Sequence, residues 1–123
     1  MSYTYDDQNI FAKILRGEIP NKTVLETEHT LAFHDIYPQA PIHVLVIPKG
    51  PYVCYDHFCQ EASDAEILDF NRTFGKVCEM VGVKDGGFRT IANAGENAIQ
   101  EVPHLHFHIL GGRNLGRMLA KAE

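Results

Sequence analysis

In "KTVLETEHTLAFHDI", residues 22–36, two short runs rich in β-branched and aromatic residues, 23–27 and 31–35, flank a tight polar turn. Such a pattern predicts an antiparallel hairpin. Immediately downstream, "YPQAPIHVLVIPKG" (37–50) brackets a third strand, His43–Ile47, between prolines that cannot donate to a ladder. Upstream, "DDQNIFAKILRGEIP" (6–20) repeats Ile10, Phe11, Ile14 and Leu15 at helical spacing behind a polar start, with Gly17 and Pro20 as stops. That stretch predicts a short amphipathic helix.

Beyond Gly50 the chain reads as a loop up to Gln60. Ser63 followed by Glu66 forms a capping box, and Ile67, Phe70, Phe74, Val77, Cys78 and Val81 then keep helical period until Gly82. This is the long helix. "KDGG" (84–87) turns into a strand at Phe88–Asn93, a glycine-containing loop follows, and a last strand is expected at about His104–Leu110. A hairpin without βαβ repetition points to an α+β fold, with a mainly antiparallel sheet of about five strands, one short helix and one long one. At 123 residues, with no internal repeat, the chain is expected to form one domain spanning 1–123.

Composition narrows the class further. A formal charge of −5 with 45% hydrophobic and 22% charged residues describes an ordinary globule. No basic excess supports nucleic-acid binding by charge alone. The start "MSYTYDDQN" lacks the features of a secretory signal, and no apolar run approaches the ~20 residues of a membrane span, so a cytoplasmic protein with no membrane partner is expected. Cys54, Cys59 and Cys78 are odd in number and irregularly spaced, which fits reduced thiols; Cys78 falls on the apolar face of the long helix as core filler.

The last strand carries the chemistry. In "VPHLHFHILGG" (102–112) side chains alternate, so His104, His106 and His108 share one face while Leu105, Phe107 and Ile109 turn to the core. The three rings have three readings: idle surface groups, ligands of a metal, or a catalytic constellation. A metal would need a ligand from elsewhere, such as His57 with Cys54 and Cys59, whose spacing is not the short pairing of structural zinc. Catalysis needs a neutral imidazole as nucleophile, oriented through its other nitrogen, with donors beside it to hold an anion. His106 sits between its neighbours at roughly 7 Å, from a strand rise of about 3.4 Å per residue. A phosphoryl centre suits such a row, because its charged oxygens accept from the flanking rings. The preceding loop, "NAGENAIQEVP" (93–103), offers Asn93 and backbone amides that can approach a phosphate. There is no Walker A pattern and no run of acidic residues for a Mg²⁺ cage, so no metal or cofactor is expected.

These residues resemble the histidine triad (HIT) superfamily, whose His-x-His-x-His signature stands here as His104-Leu-His106-Phe-His108. The resemblance extends through "IFAKILRGEIP", "LAFHDIYPQAPIHVLVIPKG" and "HILGGR" to the Hint branch, the purine nucleoside phosphoramidate hydrolases. It implies a homodimer with a continuous sheet and hydrolysis in two steps through a nucleotidyl-histidine. By position in the motif, His106 would be the nucleophile, His108 would contact phosphate and leaving group, and His104 and His43 would complete the polar network. Asp35 would bind the ribose hydroxyls, with Ile10, Phe11, Ile14, Phe33 and Ile36 clamping the base and Asn93 on the phosphate or ribose side.

The chain departs from the family pattern in places. Ala98-Ile99-Gln100 stands where many members have Gly-Gly-Gln, so two added Cβ atoms crowd the phosphate approach. Glu101 stands where some members carry a serine that assists the leaving amine, and Pro103 replaces a common tyrosine. Ile99, Gln100 and Glu101 are nevertheless expected at the nucleotide site. Some bacterial relatives hold zinc through an N-terminal cysteine pair, and the corresponding stretch here is Phe11-Ala12-Lys13-Ile14. The expected partner is a purine nucleotide of the AMP- or GMP-amine type. Dinucleoside polyphosphate hydrolysis and non-catalytic nucleotide binding are the alternatives.

Overall fold

The computed structural model describes residues 3–121. In chain order its elements are α1 (Ile10–Leu15), β1 (Thr23–Glu26), β2 (Thr30–His34), β3 (Ile42–Pro48), α2 (Tyr55–Glu61), α3 (Asp64–Met80), β4 (Phe88–Ile91), a 3₁₀ turn at Glu96–Ala98 and β5 (Phe107–Gly111). All five strands join one sheet in the order β1-β2-β3-β5-β4, and every neighbouring pair is antiparallel. The hairpin of residues 22–36 is present, with an irregular register between Thr23 and Leu25.

Both faces of the central strands are covered, so β2 and β3 are almost wholly buried. On one face Ala32, Val44, Val46, Leu105 and Ile109 pack against Phe70, Val77 and Cys78 of α3 and Phe58 of α2. On the other, Leu31, Phe33, Leu45 and Ile47 pack against Phe11 and Ile14 of α1. The alternation of strand side chains thereby assigns each histidine a side. Leu105, Phe107 and Ile109 go to the α3 core, and the triad faces α1.

Helix ends follow local chemistry. Asn9 caps α1 by accepting from the Ala12 N–H, and Ser63 and Glu66 form the reciprocal capping box of α3. The α3 helix closes at Val81 and Gly82, where φ is +74°.

Two sequence expectations are corrected. Residues read as loop up to Gln60 include a third helix, α2, which buries His57 and Phe58. Its N-cap, Cys54, makes no side-chain capping bond, so the sequence carried no start signal there. The last strand begins at Phe107 rather than His104. In register, Leu105 would lie opposite Pro48, which has no N–H to give. The ladder therefore stops: the Leu105 N–H goes to the Tyr52 carbonyl at 2.8 Å, and the Pro48 carbonyl is taken by the His104 ring.

Candidate active site

Sheet register assembles the site. Leu45 pairs with His108 and His43 with Leu110, so His43 and His108 are diagonal neighbours on one face. One residue past β2, the Asp35 N–H donates to the His43 carbonyl at 3.0 Å, which puts the Asp35 carboxylate on the same face. These groups meet above a cleft of about 510 Å³, walled by α1 on one side and by the segment 99–102 on the other.

The tautomers of three rings are fixed by groups of unambiguous polarity. Nδ1 of His106 can only donate to the His104 carbonyl, 2.8 Å away, so Nε2 carries the free lone pair. Nδ1 of His43 can only accept from the Gln39 N–H at 3.0 Å, so its Nε2 carries the proton. That Nε2–H donates to Nδ1 of His108 at 2.9 Å. His108 therefore holds its own proton on Nε2. The site thus pairs a lone-pair nitrogen with an N–H donor on rings whose centroids are 5.1 Å apart, closer than the strand rise alone implied.

Burial keeps this set uncharged. It pushes His104 and His108 down to about 4, with the neighbouring His106 adding to both shifts and His43 to that of His108. His106 is lowered by burial, against the opposing pull of its bond to the His104 carbonyl and of the Asp35 and Glu101 charges. His43 is lowered by burial too, with Asp35 opposing. At neutral pH the rings are imidazoles, the form a nucleophile requires.

Among the described residues, Asp35, His43 and His108 bring three metal-ligating atoms within 4.8 Å of one another. The polarity at His43 favours a proton there. A ligating histidine normally donates its second N–H to an acceptor, whereas Nδ1 of His43 already receives the Gln39 N–H. His57, weighed above with Cys54 and Cys59, accepts from the Val53 N–H and lies in α2.

All the expected site residues except His104 line the cleft: Ile10, Phe11, Ile14, Phe33, Asp35, Ile36, His43, Asn93, Ile99, Gln100, Glu101, His106 and His108. His104 is fully buried behind it. Phe11, Ile14 and Phe33 are both core and cleft wall, while Ile10 and Ile36 form an exposed apolar rim. Phe11 presses edge-on against His106, with centroids 4.9 Å apart. Asp35 takes the Tyr37 N–H on Oδ1 in a local turn, leaving Oδ2 3.4 Å from Nε2 of His43.

The loop before the triad is held by Gln100. Its Nε2 donates to the Val53 and Val102 carbonyls, and its Oε1 accepts from the Gly95 N–H, so the side-chain amide braces backbone. Ile99 adopts φ +55°, a left-handed conformation unusual for a β-branched residue, at a position where the resemblance noted above implies glycine in many members. Its side chain is 75% exposed at the cleft mouth. Sequence reasoning missed Tyr5, Gln39 and the Pro48 carbonyl, which partner the histidine rings from distant or backbone positions, and Asn9, which donates to the Tyr5 hydroxyl.

The fold and site together define a small α+β protein that presents a row of neutral imidazoles to an open, apolar-walled cleft. The chain belongs to the HIT domain family, matched over residues 16–115. A HIT-like protein of Azospirillum brasilense is 58% identical over 98% of this chain and 99% of its own length. The purine nucleoside phosphoramidase of Escherichia coli K12 is 40% identical, over 93% of this chain and 95% of its own. Among solved structures, a HIT family hydrolase from Clostridium thermocellum superposes with a TM-score of 0.79 at 36% identity, covering 93% of this chain and 99% of that one. No helix among the described residues is long and apolar enough to cross a membrane.

Proposed function

We propose that this chain is a Hint-type phosphoramidase that hydrolyses the P–N bond of purine nucleoside 5′-phosphoramidates, without a metal, through a nucleotidyl-histidine. The observation that carries the reading is the paired polarity of the triad: a lone pair on His106 Nε2 beside an N–H on His108 Nε2. Support also comes from the likeness to the Escherichia coli phosphoramidase.

In the first step His106 Nε2 attacks the α-phosphorus, and the P–N electron pair leaves with the amine, which takes one proton from solvent. The phosphorylated ring becomes cationic, and its Nδ1–H bond to the His104 carbonyl strengthens as that charge develops. His108 donates to a non-bridging phosphoryl oxygen. Water then adds hydroxide to phosphorus and gives a proton to solvent while the P–Nε2 bond breaks and its electron pair returns to the ring, restoring neutral His106 and releasing the nucleoside monophosphate. One water is consumed overall. Asp35 accepts from the ribose hydroxyls, the apolar wall of Phe11, Ile14 and Phe33 takes the base with Ile10 and Ile36 at its rim, and Asn93 stands on the ribose or phosphate side.

Charge separates this reading from dinucleoside polyphosphate hydrolysis. No Lys or Arg stands among the described residues that line the cleft, whereas Asp35 and Glu101 both do. A phosphoramidate brings a single negative charge there, and a polyphosphate chain brings several with no cation to meet them. We further infer a cytoplasmic homodimer in which a second copy continues the sheet at the edge strand β4, where Phe88 is exposed.

The deciding experiment compares wild type with His106→Ala on a fluorogenic purine phosphoramidate. Wild type turns over and yields, on acid quench, an intact mass increased by one nucleotidyl group, while the variant loses both. A variant that keeps most of its kcat/KM overturns the reading, and tight monophosphate binding without turnover in wild type makes the chain a binding module.

A further inference from the structure

His104 neither lines the cleft nor touches a reacting atom, yet it is fully buried with both ring nitrogens bonded. Its Nε2 faces the Pro48 carbonyl at 2.8 Å and must donate there. Its Nδ1 is then an acceptor, and the hydroxyl of Tyr5 stands 2.6 Å from it. We propose that Tyr5 is a positioning residue for the nucleophile: its hydroxyl locks His104 in one tautomer and one tilt, and His104 in turn holds the carbonyl that orients His106.

The polarity runs one way along the whole chain of bonds. The Ala12 N–H at the start of α1 donates to Oδ1 of Asn9 at 2.9 Å, which turns the Asn9 amide so that Nδ2 donates to the Tyr5 oxygen at 3.0 Å and to the Asp6 carbonyl at 2.7 Å. With its oxygen accepting from Asn9, Tyr5 sends its proton to His104 Nδ1. His104 passes its Nε2–H to Pro48, and its carbonyl receives the His106 Nδ1–H at 2.8 Å. The opposite tautomer of His104 would set a ring lone pair against the Pro48 carbonyl oxygen. The Tyr5 ring also packs edge-on against His104, with centroids 5.6 Å apart. Burial raises the Tyr5 hydroxyl above its ordinary pKa, so the proton stays in place through the neutral range.

Tyr5 and Asn9 precede the segment 16–115 matched to the HIT domain. The N-terminal residues of this chain therefore add a bond to the nucleophile's support that the matched segment does not contain.

The test is Tyr5→Phe, which keeps the ring and removes only the hydroxyl, with kinetics on the phosphoramidate used above and ¹⁵N spectra of the histidine side chains in the free protein. The kinetic arm rests on the proposed reaction; the spectra do not. The expected result is a fall in kcat on the order of 10-fold, below the ~10²-fold of a full 1 Å misplacement, with KM little changed. A donor on Nδ1 stabilises neutral His104, so its loss moves the acid limb of kcat to higher pH. The ring ¹⁵N signals of both His104 and His106 shift. Unchanged His106 signals overturn the proposal whatever the substrate, as does an unchanged kcat. A lower kcat with an unmoved acid limb and unmoved His106 signals reduces Tyr5 to packing. Should His106→Ala abolish turnover while Tyr5→Phe leaves it intact, the reaction stands and the positioning role falls.

Discussion

Nε2 of His43 donates to Nδ1 of His108 across 2.9 Å, between diagonal positions of the antiparallel pair β3 and β5. This bond decides which nitrogen of His108 offers a proton to the cleft, and it is itself decided by the Gln39 backbone N–H on the far side of His43. A backbone donor outside the sheet thus sets the polarity of a ring that lines the cleft.

Removing His108 deletes the donor outright, so His108→Ala is expected to lower kcat by about 10²-fold, the effect of losing one donor to a developing oxyanion. His43→Ala leaves His108 in place but frees its tautomer, and a smaller loss on the order of 10-fold follows, because the ring still samples the productive form but loses its fixed tilt. Steady-state kinetics on both variants check the order. Equal losses, or a larger one for His43, would contradict the relay.

Acid should unfold this protein through its histidines. A ring held neutral at a pKa below 6.5 binds fewer protons folded than unfolded, so stability is complete above about 6.5, falls as pH drops, and levels near 4 for His104 and His108. For fully buried His104 the span from 6.5 to about 4 corresponds to about 3 kcal/mol at most. Urea midpoints from pH 7 to pH 4 should decline steadily, and His104→Asn should flatten part of that decline. A midpoint constant across this range would show that the rings are not buried as described.

Much of this was legible in the sequence because periodicity is a local signal. Alternation put His104, His106 and His108 opposite Leu105, Phe107 and Ile109, and the structure keeps that division. Ser63 and Glu66 announced α3 through a bond that closes within three residues. What failed was not local. The early end of β5 depends on Pro48, far away in sequence, having no N–H at the right register. Tyr5 meets His104 across 99 positions, and no pattern near either residue points to the other. Helix α2 stayed hidden because seven residues with two buried side chains and an uncapped start carry no period to read. Gln100 was placed at the site by motif position, and it does line the cleft, but its amide is committed to backbone by partners in two other segments.

Asp69 is a structural carboxylate that sequence pattern also left unmarked. It accepts from Thr27 Oγ1 at 2.6 Å, Thr30 Oγ1 at 2.8 Å and the His29 N–H at 3.2 Å, tying α3 to the turn of the first hairpin. Burial works against its charge, and the bonds from Thr27, Thr30 and His29 overcome that and hold it below the usual carboxylate range. Asp69→Ala strands the fully buried Thr30 hydroxyl and should cost about 2 kcal/mol. Its contribution exists above pH 3.8 and is lost only below, so the variant should keep the histidine-driven decline between pH 6.5 and 4. Turnover per folded molecule should not change, since none of these groups lines the cleft.

The two glycines after the triad are tested by placing a methyl group at each. At Gly112 φ is +91°, and a Cβ would lie 2.9 Å from Cβ of Pro41, just before the strand that carries His43. At Gly111 the backbone is ordinary, but a Cβ would lie 2.8 Å from Cγ1 of Val83, itself buried in the α3 core. Gly112→Ala combines a left-handed backbone with overpacking and should cost roughly 3 kcal/mol. It should also lower kcat, because Pro41 can yield only by shifting the start of β3. Gly111→Ala should destabilise by about 1–2 kcal/mol through the core while leaving kcat near wild type. Gly86→Ala, with open space around it and no positive φ, is the neutral control. Urea midpoints with kcat for the three variants separate the two roles, and a Gly112→Ala protein that loses stability but keeps full kcat would show that the glycine pair serves the turn alone and not the placement of His43.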